Sequence, residues 1–185
     1  DGTDTLRLDD TGDNTGDTVS ITPTSISGLV DNGSTSNFDN TLEELFVAFG
    51  DQAGTGDVVT VQPSADTAFY LDGGDPDSSP GDSLTFDLGA VNGIPTLQII
   101  PSKVGAVAAL TTAGGEDVSF INFESIDAID GEYDIVIRAD LSNDANLSAT
   151  VGSGQGFIDG DIDEFSVSVA PGNQLSLTVN GIAQF

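Results

Sequence analysis

The feature that most constrains this chain is a recurring alternation of apolar and polar residues. Leu6 and Leu8 stand two apart, as do Val19 and Ile21, and Val59 and Val61. Leu84, Phe86 and Leu88 continue the pattern, then Ile135 and Ile137, then Phe165, Val167 and Val169, and last Leu175, Leu177 and Val179. A strand sends successive side chains to opposite faces, so a period of two over four to eight residues reads as a half-buried strand. Val, Ile, Thr and Phe dominate these runs, and they suit a pleated surface. The runs are separated by clusters of Gly, Asp, Asn, Ser and Pro, at 10–17, 31–37, 51–56, 72–81 and 152–156. Those residues make turns. The expected fold is all-β.

One segment fits two periods. Leu42, Leu45, Phe46 and Phe49 form a helical stripe, with Asp39 or Asn40 as cap. Leu45, Val47 and Phe49 equally form a strand. The repeat described next decides for strand.

Residues 16–29 align without a gap on residues 81–94. The shared features are a Gly-Asp pair, apolar residues at 19/84, 21/86, 26/91 and 29/94, and a Gly at 28/93. A second match joins Phe38–Asn40 and Glu43–Leu45 to Phe120–Asn122 and Glu124–Ile126. A third joins Gly56–Val61 to the region around Tyr133–Ile137. The 120–126 copy carries no helical stripe, so the 40–49 copy reads as strand. Repeated order implies repeated supersecondary units. The expected organisation is one repeat-built domain over 1–185, with units near 1–65 and 66–140 and a partial unit at 141–185. An insertion falls around 98–116.

Charge and missing residue types narrow the function. There are 31 acidic residues and three basic ones in 185, for a formal net charge of −28. Such a chain repels phosphate, so nucleic acid is not an expected partner, and anionic lipid surfaces are disfavoured. It favours solubility and hard cations such as Ca²⁺. With no Cys there is neither a disulfide framework nor a thiolate metal site. With no His the usual general base is gone. Any two of the many carboxylates can be paired on paper, so they carry no signal for catalysis, and the chain is not expected to be an enzyme. The absence of Met, even at position 1, points to a processed or excised piece of a longer protein. No apolar stretch reaches the roughly 20 residues a membrane helix needs. Membrane insertion is not expected.

A short motif recurs: Asp, any residue, apolar, any residue, apolar. It begins at Asp4, Asp17, Asp57, Asp82 and Asp163, and Gly precedes it at Gly16, Gly56 and Gly81. The physical reading is a Gly turn, an Asp that closes it, and a strand. Dense carboxylate loops are the candidate Ca²⁺ ligands: Asp10 and Asp13 in the 9–14 loop, Asp72, Asp75 and Asp77 in the second, and Asp159, Asp161, Asp163 and Glu164 in the third. Ca²⁺ takes six to eight oxygens, which alternate Asp residues and backbone carbonyls can supply. The same aspartates also serve plainly as turn-formers, and that reading stands beside the metal one.

The Gly-x-Asp-x-apolar turns resemble half of the calcium-binding repeat of RTX β-rolls. Here they lie tens of residues apart, so neither the β-roll nor its ligand set is carried over. The alternation of Gly16-Asp-Thr-Val-Ser-Ile-Thr-Pro23 with Gly56-Asp-Val-Val-Thr-Val61 resembles the degenerate Asp/Gly/Thr-rich repeat regions of large planctomycete-like bacterial surface proteins. That resemblance implies a parallel β-solenoid, with about seven or eight rungs of three short strands at about 20–25 residues each. One or two antiparallel β-sandwiches are the alternative. It also implies a secreted or cell-surface location and a stalk, filament or coat unit. Its partners would be other copies or neighbouring domains. The second function expected is a Ca²⁺-dependent adhesin that binds surface glycans.

Overall fold

The structure, a computed structural model, describes residues 2–13, 15–29, 34–50, 56–74, 81–102, 105–123, 125–131, 133–138, 146–151, 154–158, 164–169 and 175–180. These residues form strands and no helix. The first eight strands are β1 (Thr5–Asp9), β2 (Thr18–Thr22), β3 (Ser25–Ser27), β4 (Thr35–Asn37), β5 (Glu44–Ala48), β6 (Val58–Val61), β7 (Ala68–Asp72) and β8 (Ser83–Asp87). Then come β9 (Thr96–Ser102), β10 (Gly105–Thr111), β11 (Val118–Ile121), β12 (Ser125–Ile129) and β13 (Tyr133–Arg138). The last four are β14 (Asn146–Val151), β15 (Gly154–Ile158), β16 (Glu164–Val169) and β17 (Leu175–Asn180). The ambiguous 40–49 segment is strand from Glu44 to Ala48.

Two mixed sheets result. Sheet A runs β1-β5-β7-β11-β10-β9-β13-β16, and sheet B runs β15-β14-β17-β12-β8-β6-β2-β3-β4. The chain passes between them repeatedly. β1, β5, β7 and β11 pair in parallel in A, and the strands that follow each circuit's crossing, β2, β6, β8 and β12, pair in parallel in B. Each circuit therefore takes two strands, not the three expected. Antiparallel excursions interrupt the circuits. β2–β3–β4 folds back at one end of sheet B. The segment read as an insertion is the β9–β10 hairpin, which joins β11 in sheet A.

The core lies between the sheets. The alternation places Val19 and Ile21, Val59 and Val61, and Leu84 and Phe86 inward from sheet B. Leu45 and Val47, Phe69 and Leu71, and Val118 and Phe120 meet them from sheet A. Phe86 touches Phe120 across the gap, with ring centroids 5.6 Å apart. Each such side chain contributes about 1.5–3 kcal/mol on full burial. The aligned glycines Gly28 and Gly93 both have positive φ, 89° and 80°, a conformation that side chains other than Gly adopt with strain. The first repeat match therefore joins equivalent strands in β2 and β8, but its second half diverges, because Ser25–Ser27 is β3 whereas residues 90–92 form no strand. The other two matches join strands of opposite sheets: β5 in A with β12 in B, and β6 in B with β13 in A.

Candidate metal centre

The three Gly-Asp turns come together at the start of the parallel strands of sheet B. Thr18 pairs with Val58 and Val58 with Ser83, so Asp17, Asp57 and Asp82 stack on adjacent strands. The backbone ladder continues through them. Val58 N–H donates to the Asp17 carbonyl and Ser83 N–H to the Asp57 carbonyl, each at 2.8 Å. The side chains add a second ladder. Asp17 N–H donates to Asp57 Oδ1 at 2.7 Å, and Asp57 N–H donates to Asp82 Oδ1 at 2.6 Å. Asp57 and Asp82 are buried, at 1% and 5% exposure. A buried carboxylate is tolerable only with donors to its oxygens, and the neighbouring circuit's amide supplies one. Gly precedes Asp57 because a Cβ at Gly56 would collide with the Gly81 carbonyl.

At the outer end of this row the arrangement changes. The 10–17 segment links β1 in sheet A to β2 in sheet B. Asp10 N–H anchors it to the Ala48 carbonyl at 2.9 Å, and Asp13 N–H donates to the Asp10 carbonyl at 2.9 Å. Asp13 Oδ1 accepts both the Thr15 amide, at 3.0 Å, and the Thr15 hydroxyl, at 2.9 Å. The same Asp-x-Thr turn recurs at Asp9 with Thr11 and at Asp39 with Thr41. These are the turn-forming aspartates expected from composition.

The loop also gathers carboxylates. One oxygen each of Asp10, Asp13 and Asp17 lies within 4.8 Å of the others. Oxygens bound to one Ca²⁺ at about 2.3–2.6 Å sit at most about 5 Å apart, so three such oxygens can share one ion. The residues are half-buried. Burial first, then a hydrogen bond with Asp17, then the charges of Asp17, Asp13 and Asp57 push the Asp10 carboxyl up to about 6. Proton sharing and crowding of like charge are what a divalent cation relieves. Asp9, by contrast, is held below its usual value by the Thr11 hydroxyl and amide.

Of the candidate ligands, Asp10 and Asp13 meet in this cluster, and Asp17, which the sequence places at a Gly-Asp turn, joins them as a third carboxylate. The signal for it was present, since Asp17 follows Asp13 by four residues and opens the first Gly-Asp turn. Asp72, outside the three-carboxylate group, ends β7, where its Oδ1 accepts Asn122 Nδ2 at 2.8 Å and Gly74 N–H at 3.2 Å. Asp75, Asp77, Asp159, Asp161 and Asp163 lie outside the described residues, and Glu164 opens β16 opposite Arg138. No helix among the described residues is long and apolar enough to cross a membrane. No protein-family model, curated protein or solved structure matches the chain.

Proposed function

We propose that this chain is a structural module of a secreted bacterial surface protein, a β-solenoid segment whose first crossing loop is clamped by Ca²⁺. The observation that carries the reading is the in-register stack of Asp17, Asp57 and Asp82 along parallel strands. A stack of this kind repeats one turn on successive circuits, as a solenoid does and a Greek-key sandwich does not. In its interior, the carboxylates of Asp57 and Asp82 each accept a neighbouring backbone amide through Oδ1. Its end, at Asp10, Asp13 and Asp17, has oxygens spaced for a hard cation. In a calcium-containing extracellular medium, occupancy would tie β1, β2 and the first circuit together. The stalk or coat role follows from the same features: repeated circuits, a high acidic charge for solubility, and rigidity gained from ions already present.

Thermal melts in EDTA, in millimolar Mg²⁺ and in millimolar Ca²⁺ test the proposal. A Ca²⁺-specific rise that disappears in Asp13→Asn supports the clamp. Identical melts in all three removes Ca²⁺ from the reading. Hydrogen exchange tests the solenoid part. Amides of β2, β6 and β8 should be protected as one block, whereas two sandwich domains would exchange as two independent blocks.

A further inference from the structure

The outer face of sheet A carries a row of side chains that the core does not use. Arg7 pairs with Phe46, Phe46 with Tyr70, and Tyr70 with Ser119, and all four alternate with inward-pointing residues. Adjacent strands stand about 4.8 Å apart, so side chains in one row can lie flat on each other. The Phe46 and Tyr70 rings do so, with centroids 4.3 Å apart and 9° between planes. The Arg7 guanidinium lies on the other face of Phe46, its Cζ 3.9 Å from the ring centroid. Both faces of Phe46 are therefore covered. On the far side of Tyr70 the row drops to Ser119 and then Ala109. Neither side chain is long enough to cover a tyrosine ring. The row drops into a step beside Tyr70, with the second face of that ring as its wall.

Two residues along each strand, on the same outer face, runs a second row of Asp9, Ala48, Asp72 and Ile121. Between the two rows lies a groove of about 630 Å³. One side of it is aromatic and the other carries the Asp9 and Asp72 carboxylates. Asp72 is held by Asn122 and Gly74, and it sits about 7 Å along the strand from Tyr70.

We propose that this groove docks an arginine-bearing segment of a partner polypeptide, with a guanidinium on the open face of Tyr70 above Ser119 and the Asp72 carboxylate as its counter-ion. The molecule already makes this contact once, with Arg7 on Phe46. A second guanidinium at the other end of the stack repeats it. Arginine suits the step better than lysine, because a planar guanidinium stacks on a ring while forking towards a carboxylate. The charge of −28 draws a cationic partner and repels an anionic one. A sugar ring is served less well, since it needs an open aromatic face laid as a floor, whereas this face stands upright beside acids.

The probe is a labelled Gly-Arg-Gly-Arg-Gly peptide, titrated by fluorescence anisotropy at about 0.15 M salt, where diffuse attraction between exposed charges is largely screened. Its citrulline and lysine counterparts are titrated alongside. The arginine peptide should bind, the lysine peptide several-fold more weakly, and the citrulline peptide at least tenfold more weakly. Tyr70→Leu and Asp72→Asn should each weaken the arginine peptide about five- to tenfold, as expected for one cation–π contact or one ion pair. Ser119→Phe should fill the step and block binding with an unchanged melting temperature. It serves as the control should Tyr70→Leu fold poorly. No binding, or equal binding to the wild type and to Ser119→Phe, overturns the proposal.

Discussion

Asp57 and Asp13 belong to the same crowd of acids, yet the fold uses them in opposite ways. Asp57 sits inside the row of Gly-Asp turns at 1% exposure, its carboxylate accepting the Asp17 amide and its amide donating to Asp82. Asp13 sits in the loop at the end of that row, half-buried, with a threonine closing its turn and two carboxylates beside it. Position in the stack decides the role. Inside, a circuit lies on either side and the neighbouring amide answers the carboxylate. At the end of the row three carboxylates lie beside one another, and a proton or a cation becomes their natural counterpart.

The comparison can be broken most sharply at two glycines. Gly56→Ala should destabilise by about 3 kcal/mol or more, because its Cβ would meet backbone that cannot move without parting two strands. Gly12→Ala, in the end loop with open space around it, should be neutral or stabilising by under about 1 kcal/mol. Urea unfolding of both variants reads the difference, and equal effects would mean that the stack is not packed as described. Next in size is the cation. At a Ca²⁺ concentration 100-fold above the dissociation constant, the folded state should gain about 2.7 kcal/mol. That gain should vanish in Asp13→Asn and survive in Asp82→Asn, which keeps an acceptor oxygen inside the row. If both variants lose it, the site extends along the row and is not confined to its end.

Asp57→Ala should cost about 1–3 kcal/mol with or without Ca²⁺, since the Asp17 amide loses its acceptor. Asp57→Asn should cost less. Chemical denaturation in EDTA separates the two. The smallest effect is on pH dependence. The Asp10 carboxyl is raised from 3.8 to about 6 in the folded protein, so between those values the folded state holds more protons than the unfolded state. Its contribution to stability is complete below about pH 4 and is lost as the pH rises through about 6. Ca²⁺ binding should expel that proton, so affinity should fall below about pH 6. Melts across pH 4–7 in EDTA should show the slope in the wild type and a flatter curve in Asp10→Asn.

Much of this was legible along the chain. The alternation located β1, β2, β6, β8, β13, β16 and β17, because period two is a direct consequence of strand geometry, and the repeat decided β5, where helical and strand periods both fit. The Gly28/Gly93 match located two positive-φ positions, because positive φ selects for Gly. β7 carries the same alternation, at Phe69 and Leu71, directly before a run rich in Gly and Asp that blurs its end. The 9–14 loop yielded Asp10 and Asp13. Asp17 is hidden as a candidate ligand because its motif is shared with Asp57 and Asp82, each of which accepts a backbone amide through Oδ1.

The sequence by itself determined that the chain is all-β, which residues of β2, β5, β6 and β8 face inward, and that the turns before β2, β6 and β8 are built from Gly and Asp. Only the tertiary structure decided which strands are neighbours. Alternation tells a residue's face but is identical in both sheets, so the second and third repeat matches joined strands that lie in opposite sheets. Turn residues carry no label for the circuit they will lie against. Stacking at about 4.8 Å between strands brings Asp17 onto Asp57, 40 residues away, and Asp57 onto Asp82, 25 residues away. That same stacking lays Arg7 on Phe46 and Phe46 on Tyr70, where no spacing in the chain would have placed them.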